Sequence, residues 1–108
     1  MVQATKLKEL LAELKTGLQA IYGFRLKGFY LYGSYARGEQ DEESDVDVLI
    51  VLDNFTSYGA EISRSGYLAS ELSLKYSVSI SRVFMREPEW FNKETPFLLN
   101  VREEAVAA

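Results

Sequence analysis

The amino-acid sequence predicts an α/β fold, with one sheet of at least three strands and helices packed against it. Two observations predict this class. Segments in which apolar residues recur every three or four positions alternate with short segments rich in β-branched and aromatic residues. One short segment, Val46–Leu52, is apolar on both alternating faces beyond its first residues, which is typical of a central strand. The length of 108 residues suits one domain over residues 1–108.

The first half of the chain contains one predicted helix and two predicted strands. Apolar residues at helical spacing, with lysines and glutamates between them, predict an amphipathic helix over residues 5–22, which Gly23 is expected to cap. The aromatic segment Leu26–Tyr32 predicts a strand that stops at a tight turn at Gly33. After a polar, acidic stretch, Val46–Leu52 is the second predicted strand.

The second half of the chain predicts a helix, a strand and a last helix. Hydroxyl caps followed by apolar residues at helical intervals predict a helix over residues 57–75. Serines alternate with β-branched and aromatic residues over 76–85, which predicts a third strand that Glu87-Pro88 ends. Thr95-Pro96 is an N-cap followed by proline, so a short helix is expected through about Glu104.

The composition excludes several classes of chemistry. The net charge of -4 argues against a protein whose main partner is nucleic acid. The chain has no cysteine and no histidine, so disulfides, zinc–thiolate sites, histidine metal ligation and a Ser-His-Asp mechanism are excluded. It also lacks a long apolar run, and its first residues are charged and periodic, which predicts a cytoplasmic protein without a membrane partner.

The candidate binding residues lie between the first two strands. Gly33 and Ser34 follow a strand, where glycine lets the backbone approach a phosphate closely, and the serine hydroxyl and neighbouring amides can donate to phosphate oxygens. Arg37 would add positive charge, because its planar guanidinium matches phosphate oxygens. We therefore assign nucleotide binding to Gly33, Ser34 and Arg37. An isolated Gly-Ser pair would indicate only a turn.

Asp45 and Asp47 are the candidate catalytic and metal-binding residues. Two residues apart on one strand, they should point to the same face about 7 Å from each other. They repel each other unless a cation lies between them, and carboxylate oxygens suit Mg²⁺ that bridges to substrate phosphates. The alternative is a solvated strand end within the acidic run 39–47. That alternative does not explain why the strand behind the two acids is so apolar.

At these residues the chain resembles the minimal nucleotidyltransferase (MNT) family of the DNA polymerase β superfamily. The shared signature is a Gly-Ser pair, an Ala-Arg-Gly, and a Ser-Asp-x-Asp that opens an apolar strand, all present between Gly33 and Asp47. The resemblance implies a small mixed sheet flanked by helices, a polymerase-β-like core, and transfer of a nucleoside monophosphate from a magnesium-bound triphosphate to a hydroxyl. It also implies an antitoxin that adenylylates a HEPN toxin, with ATP as the expected nucleotide.

The chain departs from the family at one point, the third carboxylate that such enzymes carry on a later strand. The predicted third strand contains no acid and places serines on one face, whereas Glu71, Glu87 and Glu104 could approach the site from other elements. The spacing selects none of these three glutamates. Two functions therefore stay open: an enzyme that transfers a nucleotide to a partner protein, and a weak or inactive nucleotide-binding antitoxin that neutralises its partner by complex formation.

Overall fold

A computed structural model describes residues 2–108, in which four strands form one mixed sheet in the order β3-β2-β1-β4. Strand β1 is antiparallel to both β2 and β4, and β2 is parallel to β3. The strands are β1 Leu26–Tyr32, β2 Val46–Leu52, β3 Ile80–Arg86 and β4 Val106–Ala107. The helices are α1 Ala4–Tyr22, α2 Ser34–Arg37, α3 Tyr58–Arg64, α4 Gly66–Tyr76, α5 Glu87–Asn92 and α6 Pro96–Glu104. The predicted α/β class with a mixed sheet is confirmed.

The two faces of the sheet bury separate apolar clusters. The cluster under α1 and α4 includes Leu14, Leu72 and Phe84, and the cluster under α5 and α6 includes Trp90, Leu98 and Val101. Strand β2 contributes to both in alternation, with Val46, Val48, Ile50 and Leu52 on the first face and Leu49 and Val51 on the second. The prediction of a central strand covered on both sides is therefore confirmed.

Helix α1 agrees with the prediction for residues 5–22 and begins one residue earlier. Its buried residues are Leu10, Leu14, Leu18 and Tyr22, which are spaced four apart and lie on one face. Gly23 ends the helix with a φ of 57°, and its amide donates to the carbonyl of Gln19. The expected glycine cap is confirmed, since a positive φ is costly for other residues.

The single helix predicted over residues 57–75 is wrong, because the structure has two helices separated at Ser65. Ser57 caps α3 as expected, accepting a hydrogen bond from the Ala60 amide at 3.2 Å. The guanidinium of Arg82 donates to the Ile62 carbonyl and to the Ser65 hydroxyl, and that hydroxyl donates to the Glu61 carbonyl. These hydrogen bonds compete with the backbone hydrogen bonds that a continuous helix would need at Ser65. Gly66, the next residue, also favours a break at this point.

The predicted start of the third strand is also wrong. Residues 76–79 are not part of β3, which begins at Ile80 and continues to Arg86. Tyr76 is the last residue of α4, where its hydroxyl donates to Glu13 of α1. Ser77 then adopts a φ of 53° as the helix cap. The long-range contact with α1 extends the helix through residues whose local pattern predicts a strand.

The C-terminal part contains one predicted and two unpredicted elements. Helix α6 begins after Thr95, whose hydroxyl accepts from the Leu98 amide at 3.2 Å, as expected. Helix α5 is unpredicted, although proline in its first turn is a known start signal. The two-residue strand β4 is too short to show a period. No helix within residues 2–108 combines the length and the apolar composition needed to cross a bilayer.

Candidate active site

Gly33 forms the turn between β1 and α2, and two features of this turn require a glycine. Its φ is 76°, a conformation that side-chain-bearing residues adopt at a cost. A Cβ atom at this position would collide with the carboxylate of Asp47. The backbone of Gly33 therefore lies directly against that carboxylate, as the sequence pattern predicts for a closely approached turn.

Asp47 lies on β2 between residues of the two neighbouring strands. It pairs with Tyr32 on β1 and with Ser81 on β3. Burial raises the pKa of the half-buried Asp47 carboxyl, and the negative charge of Asp45 raises it further. Burial also raises the pKa of the Tyr32 hydroxyl to about 12, with Asp47 as the next contribution. A carboxylate in this setting is stabilised by an added cation.

Asp45 lies immediately before β2 and is exposed. The expectation that both aspartates are strand residues is wrong for Asp45, because β2 begins at Val46, whose amide donates to the Ser79 carbonyl at 2.9 Å. The two charges still interact, as the raised pKa of Asp47 shows. Within residues 2–108, no set of three or more acidic side chains is placed to hold a metal ion.

Arg37 and Glu104 form an ion pair beside Gly33. The Arg37 Nη1 donates to Glu104 Oε2 at 2.8 Å, and its Nε donates to Glu39 Oε1 at 2.7 Å. The backbone amide of Gly33 donates to Glu104 Oε1 at 3.0 Å. The hydrogen bond from Arg37, followed by that from Gly33, lowers the pKa of Glu104. Glu104 therefore connects the end of α6 to the glycine turn.

Only Glu104 of the three candidate glutamates lies at this site. Glu71 is exposed on α4, which packs on the opposite face of the sheet. Glu87 begins α5 at the far end of β3. The position on β3 beside Asp47 is held by Ser81. The expected face of alternating serines is wrong, because Ser77 and Ser79 precede β3 and Ser81 is the one serine within it. Ser79 precedes β3 and lines a cleft of about 470 Å³ together with Asp45.

The structure thus brings together most of the residues selected from the sequence. Gly33, Ser34 and Arg37 are consecutive parts of the turn and α2, and Asp47 contacts the turn from β2. Sequence reasoning did not select Tyr32, which packs edge-on against Phe97 of α6 at 6.0 Å between ring centroids. Its position directly before Gly33 and its aromatic type gave no indication of a site.

A family model for the nucleotidyltransferase domain matches residues 11–104, which include all of these positions. The chain belongs to the nucleotidyltransferase domain family. It is 39% identical over 99 residues to a Methanocaldococcus jannaschii protein, MJ0604, provisionally named a protein adenylyltransferase; the match covers 90% of this chain and 92% of that one. It is 33% identical over 75 residues to the protein adenylyltransferase MntA of Thermococcus cleftensis, covering 69% and 74%.

Solved structures share the fold of this chain. A crystal structure of a toxin–antitoxin with AMP-PNP superposes with a TM-score of 0.61 at 19% identity, covering 87% of this chain and 68% of that one. A variant of the toxin–antitoxin MntA–HpeT superposes with a TM-score of 0.60 at 17% identity, covering 86% and 68%. The resemblance to minimal nucleotidyltransferases is confirmed at the level of family and fold.

Proposed function

We propose that this nucleotidyltransferase transfers AMP from magnesium-bound ATP to a hydroxyl of a partner protein, and that the partner is a HEPN-type toxin. The observation that carries the proposal is the contact between the Asp47 carboxylate and the Gly33 turn, with Arg37 at the end of the same turn. A half-buried acid, the backbone amide of the buried Gly33 and an exposed guanidinium at one place can together bind a metal-bound triphosphate.

The turn residues are proposed to hold the phosphates. The Gly33 amide points toward the site as a donor, and the Ser34 hydroxyl lies one residue further along. The Arg37 guanidinium is about half exposed, with 45% of its side chain accessible, so phosphate oxygens can reach it. In the transfer step, the acceptor hydroxyl oxygen bonds to the α-phosphorus as the bond to pyrophosphate breaks, and the hydroxyl proton passes to solvent water. The proposed role of Arg37 is to stabilise the negative charge of the phosphates.

The donor set fits a magnesium ion that completes its shell with phosphate oxygens and water. Asp45 is exposed, and Asp47 is half-buried with its pKa raised by burial and by Asp45, so both carboxylates gain from a shared cation. When bound, the ion would supply positive charge at the triphosphate. Asp45 and Asp47 are the residues that would hold it. Two protein carboxylates are typical of magnesium sites that also bind substrate phosphates.

The size of the site and the names of the relatives support a protein acceptor. The clefts around it are shallow, and the cleft beside Arg37 is lined by Asn100, Glu103 and Glu104 with a volume of about 420 Å³. A small acceptor would be poorly enclosed there. Two relatives carry the name protein adenylyltransferase, and two structural neighbours are toxin–antitoxin proteins. We therefore propose a cytoplasmic toxin–antitoxin role with ATP as the nucleotide.

A second candidate function is neutralisation of the partner by complex formation without transfer. The observation that favours it is Ser81, a hydroxyl at the β3 position that pairs with Asp47. Without a carboxylate there, no strong base faces the acceptor hydroxyl from β3, and general-base assistance is worth about 10²- to 10⁴-fold in rate. The two candidates therefore differ in whether the partner becomes covalently modified.

Mass spectrometry of the partner separates these functions. The chain is incubated with a HEPN-type toxin, magnesium and ATP, and the toxin is expected to gain the mass of one adenylyl group per modified hydroxyl. The Asp47→Asn variant should leave the partner unmodified. A partner that is silenced in a stable complex but keeps its original mass would replace the transfer proposal with the binding one.

A further inference from the structure

Glu104 places a carboxylate on two donors that the proposed function assigns to phosphate. One of its oxygens accepts from the Gly33 amide at 3.0 Å and the other from the Arg37 guanidinium at 2.8 Å. The side chain is only 24% exposed, although α6 ends at this residue. A carboxylate and a phosphate offer these donors the same kind of anionic oxygen pair.

Glu104 and a phosphate cannot share these donors. The Gly33 amide has one hydrogen, which points at Glu104 Oε1. The Arg37 guanidinium has several N–H donors, but its Nε already donates a hydrogen bond to Glu39. The two anions would also repel each other in this partly buried place, and the charge of Glu104 already acts unfavourably on Asp47.

We propose that Glu104 holds the phosphate position in the nucleotide-free chain and lowers the affinity for ATP until the nucleotide displaces it. This inference rests on the proposed function, because it requires the triphosphate to bind at Gly33 and Arg37. The Glu104 carboxylate then competes with the nucleotide phosphate for the same donors and raises the ATP concentration at which the site is half occupied. The third carboxylate sought from the sequence is then an inhibitory group and not a metal ligand.

The structure offers the displaced side chain a place to go. A cleft of about 420 Å³ lies on the outer side of Glu104, lined by Arg37, Asn100 and Glu103. Strand β4 follows Glu104 and pairs with Tyr30 and Leu31 of β1, so the backbone at the end of α6 is anchored. Rotation of the Glu104 side chain into the cleft is sufficient to free the Gly33 amide, and α6 need not unfold.

The test is the dissociation constant of magnesium-ATP measured by calorimetry on the whole chain. Glu104→Gln removes the charge and keeps the shape, and it should lower the dissociation constant about tenfold, since hydrogen bonds to charged groups are among the strongest. Glu104→Asp keeps the charge but is one methylene shorter, so it cannot reach both donors and should also tighten binding. Glu94→Gln is the matched control, because it removes the same charge from an exposed position just before α6, outside this cleft, and should change the constant far less.

The outcomes separate this inference from the proposed function. Unchanged or weaker binding in Glu104→Gln overturns the inference, and so does an equal gain in Glu94→Gln, which would indicate a general charge effect. If the parent and all Glu104 variants fail to bind magnesium-ATP, the proposed function is overturned and the inference falls with it. Thermal denaturation of each variant, with midpoints near that of the parent, shows that the measured constants belong to folded protein.

Discussion

At the scale of single residues, Asp47 is the most constrained group of the site. It is half-buried on β2, its pKa is raised, and its carboxylate lies against Gly33. Partly buried carboxyls with a raised pKa are concentrated at the functional sites of proteins.

We expect the double variant Asp45→Asn, Asp47→Asn to weaken magnesium-ATP binding more than about tenfold, because the ion loses both charged protein ligands. The fold should persist, because burial and the charge of Asp45 both disfavour the ionised Asp47 carboxyl in the folded chain. Calorimetry measures the affinity. The control is Glu42→Gln, Glu43→Gln, which removes two charges from the exposed loop before β2. Equal affinity in the double aspartate variant and the parent would exclude this metal site.

Variants of Gly33 and Gly38 can separate the cost of a positive φ from the cost of a Cβ atom that collides with Asp47. Both have a positive φ, 76° and 72°, but only a Cβ on Gly33 meets Asp47. Gly38→Ala should therefore cost about 1 kcal/mol of unfolding free energy and keep nucleotide binding. Gly33→Ala should cost more and abolish binding. Urea unfolding and calorimetry measure the two effects, and equal behaviour of the two variants would contradict the role of the Gly33 turn.

Ser81 is the residue whose replacement should raise activity. Because Ser81 pairs with Asp47, Ser81→Asp would place a carboxylate beside it, and we expect faster AMP transfer to the partner, by about tenfold or more. Ser63→Asp is the control, since Ser63 is exposed on α3, away from the cleft that Ser79 and Asp45 line. Adding Asp47→Asn to Ser81→Asp should remove the gain. Transfer is followed by the mass of the partner, and a slower Ser81→Asp enzyme would argue against this position as the missing acid.

At the scale of elements, α5 depends on one glutamate. Glu89 accepts from the Arg86 guanidinium at 2.9 Å and lies 3.0 Å from Lys93, and the hydrogen bond from Arg86 is the main reason why its pKa is lowered. We expect Glu89→Gln to reduce the unfolding free energy by about 1 kcal/mol at pH 7. Glu87→Gln, which removes a charge from the same helix, should cost less.

The pH dependence of this difference has a definite sign. A carboxyl whose pKa is lowered in the folded chain stabilises it above the ordinary carboxyl pKa, and this contribution is lost as the pH falls through the lowered value. The difference between Glu89→Gln and the parent should therefore shrink in acid. Urea unfolding at several pH values measures it. A difference that stays constant down to pH 2, or grows, would contradict the ion-pair explanation.

The elements also show where sequence reasoning ends. Helix α1 and strand β2 were predicted because their burial follows a simple period over many residues. The break at Ser65 and the late start of β3 depend on Arg82 and Glu13, which are distant in sequence. For the same reason, the pairing of Glu104 with Gly33, 71 residues apart, has no local signal. The site motif itself is local, so it could be found from the sequence.

At the scale of the whole molecule, β2 joins the two apolar clusters. Each cluster contains alternate residues of this strand. If β2 detached from one cluster, the residues of the other cluster would also become exposed to water. We expect thermal unfolding of residues 2–108 to be one cooperative transition, with a calorimetric enthalpy equal to the van't Hoff enthalpy. Leu49→Ala, on the α5 and α6 face, should lower the unfolding free energy by about 2–5 kcal/mol without splitting the transition. Two separate peaks would contradict this coupling.

Trp90 gives this chain a natural optical probe. It is the one tryptophan of the sequence, it is 6% exposed, and it packs against Tyr30 with 5.0 Å between ring centroids. Arg102 of α6 lies over its indole ring at 5.8 Å. All tryptophan fluorescence therefore originates from one position beneath α6, and a shift in its emission wavelength would report water reaching that interface. Titrations with nucleotide or partner could be followed through this signal without attaching a dye.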